Sequence, residues 1–111
     1  MCATMNKNSK RYIVVVGGED LASCEYLEWQ ANSNWKACAD LPKPLSEAQL
    51  IRDPESGDLV LLGGFSDGIE QDSIYRLSDI SGDWIKQSQT LKAARSAFSA
   101  MFVSNKFLPC D

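Results

Sequence analysis

Two aliphatic runs dominate the hydrophobic pattern of the chain, and each ends in a pair of glycines. The first is residues 12–18, YIVVVGG, and the second is residues 58–64, DLVLLGG. A short β-branched or aliphatic run that stops at glycine is typical of a buried strand. Glycine at its end allows a sharp turn or the close approach of a neighbouring backbone, which a Cβ atom would block. We therefore predict two buried strands that end in the same kind of bend.

The residues after the two glycine pairs also recur in one order. The recurring positions are Gly17, Gly18, Tyr26, Trp35 and Leu41 in the first half, and Gly63, Gly64, Tyr75, Trp84 and Leu91 in the second. Corresponding positions lie 46 to 50 residues apart. A shared order with small differences in spacing is expected when loops vary in length and strands keep their register. The chain therefore contains an internal repeat, which has to be considered before any single motif.

Alternation and turn composition predict four strands in each copy of the repeat. In the first unit, residues 1–45, the strands are predicted at residues 2–5, 12–16, 24–29 and 35–38. In the second unit, residues 46–94, they are predicted at residues 48–52, 59–62, 73–78 and 84–87. Residues 95–111 begin a third, truncated unit with a hairpin of residues 98–103 and 107–108, where Pro109-Cys110 replaces a glycine pair. Helix is the alternative for residues 45–50 and 91–96, but both segments are too short to be stable helices in water. The predicted fold class is all-β.

This arrangement resembles the kelch repeat, a four-stranded antiparallel unit of about 50 residues. Gly17, Gly18, Tyr26 and Trp35 carry the resemblance in the first unit, and Gly63, Gly64, Tyr75 (or Leu77) and Trp84 carry it in the second. The connector Ala94-Arg95-Ser96 also resembles the stretch that precedes a kelch blade. The resemblance implies a partial β-propeller, with two four-stranded blades, the first hairpin of a third, and the remaining blades in a longer chain.

Composition excludes several classes of function. The net charge is −4 and the eleven Lys and Arg residues are scattered, so neither nucleic acid nor a membrane surface is an expected partner. The chain has no histidine, which removes the usual general base and most zinc sites. We predict no catalytic residue, metal site or cofactor. The N-terminus lacks the layout of a signal peptide, so a cytoplasmic location is expected.

The four cysteines are Cys2, Cys24, Cys38 and Cys110, and none forms a C-x-x-C pair. Cys24 and Cys38 fall on neighbouring predicted strands, where a change of one residue in register decides whether they face each other. We expect small buried cysteines in a reducing compartment in preference to a disulfide.

The candidate partner-binding residues lie in loops. In a four-stranded meander, the loop between strands two and three (residues 19–23 and 66–72) emerges on the same side as the connector that follows strand four (residues 42–47 and 92–96). This side gathers Asp20, Lys43, Ser46, Ser66, Asp67, Arg95 and Ser96. The resemblance implies that Arg95 faces a protein ligand, where a guanidinium suits an acidic motif.

The predicted function is a protein-interaction module that performs no reaction. The kelch resemblance implies the substrate-recognition part of a cullin-3 ubiquitin ligase adaptor, whose partner would carry an acidic motif. Two alternatives are an actin-binding or scaffold kelch protein, whose partner would be cytoskeletal, and a fragment of a propeller-type sugar oxidase or epimerase.

Overall fold

The computed structural model describes residues 1–102, and these residues form antiparallel sheets with no helix. The first sheet has the order β1-β2-β3-β4 and consists of β1 (Cys2–Lys7), β2 (Lys10–Val16), β3 (Cys24–Glu28) and β4 (Lys36–Cys38). The second has the order β10-β9-β6-β5 and consists of β5 (Gln49–Arg52), β6 (Leu59–Leu62), β9 (Ser73–Leu77) and β10 (Ile85–Thr90). The all-β prediction is confirmed.

A small ribbon interrupts the segment that was predicted as one long loop. Strands β7 (Phe65–Ser66) and β8 (Ile69–Glu70) pair antiparallel across the turn at Asp67 and Gly68. Both turn residues have positive φ, 52° for Asp67 and 76° for Gly68, as a tight two-residue hairpin requires. The ribbon gives residues 65–70 a defined shape in place of an irregular loop.

The glycine pairs are required because a connector passes directly over each of them. Gly18 N donates a hydrogen bond to Leu45 O (2.8 Å), and Gly64 N donates one to Arg95 O (2.9 Å). A Cβ atom on Gly17 or on Gly63 would lie 2.6 Å from the same two carbonyl oxygens. Both pairs also have positive φ. The expectation of a bend with close backbone approach is confirmed in both units.

Strand register shows which predicted repeat positions correspond. Tyr26 pairs with Val14, three residues before its glycine pair, whereas Tyr75 pairs with Leu61, two residues before its own. The position in the second sheet that corresponds to Tyr26 is therefore Arg76, and neither Tyr75 nor Leu77 is its counterpart. The two loops that follow the glycine pairs differ in length, which hid this offset in the sequence.

The tryptophans do occupy corresponding positions. Trp35 directly precedes Lys36, which pairs with Tyr26. Trp84 directly precedes Ile85, which pairs with Arg76. Their surroundings differ, because Trp84 is buried and donates from Nε1 to Ala39 O (3.1 Å), at the end of the first sheet. Trp35 is 51% exposed. Trp84 thus joins the second sheet to the first, whereas Trp35 stays half exposed within the described part of the chain.

The hydrophobic core lies between the two sheets. Its buried members are Met5, Val14, Val16, Cys24, Leu41, Leu45, Leu50, Leu59, Leu61, Tyr75, Leu77 and Trp84. The edge strands β1 and β5 lie side by side, and Arg52 Nη1 donates to Thr4 Oγ1 (3.1 Å) between them. The sheets therefore share one core.

Cys24 and Cys38 form a disulfide, so the expectation of reduced cysteines is wrong. The two residues are direct cross-strand partners on β3 and β4, with Cα atoms 5.0 Å apart, which is within the range that a disulfide spans. Disulfides are rare in cytosolic proteins. The disulfide therefore does not support the expected cytoplasmic location, which stays a prediction. Within residues 1–102 no helix is long and apolar enough to cross a membrane.

The predicted hairpin of a third unit is only partly within the described residues. Residues 98–102 form no strand. Residues 103–111, which include the rest of that hairpin and Pro109-Cys110, lie outside the described part of the chain. The third unit therefore stays a prediction.

Candidate functional site

An open cleft of about 630 Å³ lies at one end of the two sheets, where loops of both units meet. We call it the loop-end cleft. It is lined by residues 18–20 of the first unit, residues 44, 46 and 47 of the connector, and residues 65–68 of the second unit. Four of the seven predicted partner-binding residues line it, namely Asp20, Ser46, Ser66 and Asp67. These four residues therefore share one end of the molecule, and their role in partner binding stays a prediction.

Backbone hydrogen bonds hold the three segments together. Ser46 and Phe65 exchange two bonds, Ser46 N to Phe65 O (3.1 Å) and Phe65 N to Ser46 O (2.8 Å). Gln71 N donates to Gly64 O (2.8 Å), which closes the base of the β7–β8 ribbon. Because these bonds are all between main-chain groups, the walls of the cleft are fixed independently of the side chains that line them.

The cleft is rich in carboxylates. Glu19, Asp20, Glu47 and Asp67 line it, all four are exposed, and no Lys or Arg is among its described lining residues. Asp20, Glu47 and Asp67 have positive φ values of 57°, 55° and 52°. This conformation is uncommon outside glycine, and least common for a residue such as Glu47, because it crowds the Cβ atom. The fold therefore keeps three acidic side chains on tightly turned backbone around the cleft.

Ser66 is the one polar side chain in the cleft wall that is almost fully buried, with 6% of its surface exposed. Its Oγ has no hydrogen-bond partner among residues 1–102. A buried hydroxyl without a partner carries a desolvation cost of about 1–3 kcal/mol. The hydroxyl oxygen itself is enclosed within the wall and is not accessible from the cleft.

The other predicted partner-binding residues lie around the same end but outside the cleft lining. Lys43 is half-buried and donates from Nζ to Gln71 Oε1 (2.9 Å), which ties the connector to the second unit. Arg95 is exposed, and its Nε lies 3.4 Å from Ala93 O. Ser96 is half-buried on the same connector. The basic side chains therefore do not share the cleft with the carboxylates.

A second polar cluster lies at the opposite end of the second sheet and joins the sheets. Asp58 is buried and accepts from Lys7 Nζ (2.6 Å), from Arg76 Nε (2.6 Å) and from Ser78 Oγ (3.2 Å). Burial acts to raise the pKa of Asp58, but the hydrogen bonds and charges of Lys7 and Arg76 outweigh it and hold the pKa below its usual value. Every charged member of this cluster has a partner, so we assign it a structural role.

Glu19, Glu47 and Phe65 also line the cleft but were not among the seven predicted partner-binding residues, although Glu19 and Glu47 lie in the loop and the connector that were expected at this end. Glu19 and Phe65 each come directly after a glycine pair, and this shared place in the repeat was a usable signal. Glu47 has no such signal, because its place in the cleft depends on the path of the connector. No group of three or more His, Cys, Asp or Glu side chains within residues 1–102 is arranged to hold a metal ion.

Comparison with known proteins adds no relative to this picture, since no protein-family model and no curated protein matches the chain.

Proposed function

We propose that this chain is part of a kelch-repeat β-propeller and binds a protein partner at the loop-end cleft. The observation that carries the proposal is that two successive repeat units and their connector build one cleft. Loops that rigid sheets hold in place are the usual location of binding residues. A partner in this cleft would contact both units at once, as ligands of repeat proteins do.

The propeller assignment is supported by the way the units are joined. Corresponding glycine pairs bond corresponding connectors, and Trp84 of one unit is buried against the end of the unit before it. The same arrangement applied to Trp35 would bury it against a preceding unit. Two four-stranded blades at residues 1–45 and 46–94, with a third beginning at residue 95, fit this scheme.

The experiment is a selection of binding peptides from a displayed random library on the immobilised 111-residue chain. Selected peptides are then measured against two variants of equal charge. Asp20→Asn with Asp67→Asn changes the cleft, and Glu55→Gln with Asp83→Asn changes two exposed carboxylates at the opposite end. Asn tolerates the left-handed backbone of both cleft positions.

We expect enriched peptides that lose affinity for the cleft variant and keep it for the opposite-end variant. Failure to enrich any peptide, or loss only with the opposite-end variant, would contradict the proposal. The narrower roles that the kelch resemblance implies, a ligase adaptor or an actin-binding scaffold, remain predictions.

A further inference from the structure

We infer that the 111-residue chain assembles head to tail with further copies of itself, through the two sheet faces that its internal interface leaves open. The first open face, on β2 and β3, carries Ile13, Val15 and Leu27, and the second open face, on β6 and β9, carries Val60, Leu62 and Ile74. The first open face of one copy packs on the second open face of the next. This inference goes beyond the role proposed for the loop-end cleft, and both faces lie outside that cleft.

The first open face corresponds to the face of the second sheet that the chain already buries. By distance from the glycine pair and by strand pairing, its counterparts are Leu59, Leu61 and Leu77. All three are fully buried in the core between the sheets. The first open face is also apolar at these positions, but its Val15 is 36% exposed. Within the described part of the chain, this face therefore lacks the cover that its counterpart has.

The second open face corresponds in the same way to the face of the first sheet that packs on the second sheet. Its counterparts are Val14, Val16 and Cys24, and all three are buried in the shared core. On the second open face, Leu62 and Ile74 are only half-buried. The two open faces are thus the counterparts of two faces that pack on each other inside the chain. Another copy can therefore repeat the internal interface.

The tryptophans support the same direction of packing. Trp84 reaches from the second sheet to Ala39 O of the first. Trp35 has the corresponding position in the first unit and is 51% exposed. In the head-to-tail contact, Trp35 lies against the second sheet of the neighbouring copy. Aromatic side chains of this kind are frequent anchors of protein interfaces.

The turns beside the two open faces carry opposite charges. Within the chain, Lys7 at the β1–β2 turn donates to Asp58 of the second unit. The corresponding turn between β5 and β6 carries Glu55, which is exposed. Between copies this turn meets a β1–β2 turn where Lys10 and Arg11 are exposed. The signs are reversed relative to the internal contact and remain complementary, which favours another copy as the partner.

The contact between copies is heterologous, since the two partners use different faces, and such contacts form closed rings when the rotation between copies allows it. A propeller contains about four to eight units, so a ring of two-unit chains holds about two to four copies. Glu25 is a charged member of the first open face, where the second sheet has Tyr75. We therefore expect the contact between copies to be weaker than the contact within the chain.

The test measures the mass of the 111-residue chain at micromolar concentration by size-exclusion chromatography with light scattering. We expect a discrete dimer, trimer or tetramer. Val15→Lys and Ile74→Lys should each give a monomer, with the dissociation constant raised about a hundredfold or more, because each places an unpaired charge in the contact. Ala93→Lys adds the same charge at an exposed connector residue and should leave the mass unchanged.

An equimolar mixture of Val15→Lys and Ile74→Lys identifies the mode of association. Each variant keeps one intact open face, so the mixture should form a 1:1 dimer and nothing larger. A monomeric wild-type chain would overturn the inference, and so would association that both variants retain. Association that only one of them abolishes would show a symmetric contact through a single face and would overturn the head-to-tail arrangement.

The two variants also need a check of folding, by circular dichroism. If either fails to fold, Trp35→Ser and Glu55→Lys replace them, because both residues are exposed and lie beside the first and the second open face respectively. Each should then weaken association, and unchanged association in both would overturn the inference. The peptide selection at the loop-end cleft is a separate measurement, so this inference and the proposed function can fail independently.

Discussion

At the scale of single residues, glycine at two corresponding positions determines whether a connector can pack on its sheet. Gly17 and Gly63 combine positive φ with a carbonyl oxygen that would lie 2.6 Å from an added Cβ. Gly68 also has positive φ, but no atom lies within 4 Å of the place where its Cβ would be. Substitutions at these three glycines can therefore distinguish the cost of backbone strain from the cost of steric overlap.

We predict that Gly63→Ala lowers the free energy of unfolding by about 3 kcal/mol or more, because strain and overlap both act. Gly68→Ala is the matched control and should cost about 1 kcal/mol, from the left-handed backbone alone. Urea unfolding followed by circular dichroism measures both. Equal losses would show that the connector moves away from Gly63 without cost.

The two corresponding tryptophans give a second comparison. Trp84 is 7% exposed and Trp35 is 51% exposed. We predict that Trp84→Ala lowers the free energy of unfolding by about 4 kcal/mol, since it leaves a cavity in the shared core and removes the bond to Ala39. Trp35→Ala should cost less than about 1 kcal/mol. A similar loss at Trp35, measured in the same urea titration, would mean that Trp35 is covered in solution.

At the scale of elements, a covalent link fixes the edge strand of the first sheet. Strand β4 has three residues, and the disulfide joins it to β3 across a separation of 14 residues. A strand this short gains little from its own hydrogen bonds, and the disulfide adds a covalent constraint to its three paired residues.

We predict that a reducing agent lowers the free energy of unfolding by about 3 kcal/mol, the value expected for a loop of this length. Cys24→Ser with Cys38→Ser should show the same loss and should not respond to the reducing agent. Unfolding titrations with and without reductant measure the effect. An identical stability under both conditions would show that the two cysteines are not joined in solution.

The Asp58 cluster makes the junction between the sheets sensitive to acid. The pKa values of Asp53 and Asp58 are both lowered in the folded protein. For Asp53 the causes are a backbone hydrogen bond from Glu55 and a side-chain hydrogen bond from Arg76. For Asp58, burial acts to raise the pKa, but the hydrogen bonds and charges of Lys7 and Arg76 outweigh it. A carboxyl with a lowered folded pKa stabilises the protein above its unfolded pKa, and this stabilisation is lost as the pH falls through the folded pKa.

Stability should therefore be constant near neutral pH and fall below about pH 4, the usual range of an unfolded Asp. Asp58→Asn should cost about 2 kcal/mol at pH 7, and the difference from wild type should shrink at pH 3. Urea unfolding across this pH range is the measurement. A difference that stays constant down to pH 3 would contradict the assigned role of Asp58.

At the scale of the whole molecule, local patterns predicted the strands and the repeat, but not what depends on register or on distant segments. The aliphatic runs and glycine pairs encode β2, β6 and their bends within a few residues of sequence. The Cys24–Cys38 disulfide depends on a one-residue choice of register, which composition does not reveal. The charge of the loop-end cleft arises only when three separate segments meet.

The outer faces of the two sheets lead to a prediction about association. Trp29 and Ile85 are 60% and 59% exposed, and Trp35 lies half exposed beside its strand. Large exposed apolar side chains on open sheets favour association. We predict that the isolated chain self-associates at micromolar concentration, as measured by light scattering, and that Trp29→Ser with Trp35→Ser reduces the association. A stable monomer would show that two units suffice alone.

The hydrogen bonds between connectors have a consequence for how such a protein could change. Ala97 N donates to Glu47 O (2.8 Å), which joins the two connectors. The carbonyl oxygen that accepts a hydrogen bond from the glycine pair belongs to Leu45 in the first unit and to Arg95 in the second. Since main-chain atoms alone make these bonds, the bonds tolerate different side chains at the exposed positions of a connector, whereas Leu41 and Leu45 are held in the core. Exchanging only the exposed residues of a connector should therefore change binding specificity and leave the scaffold intact.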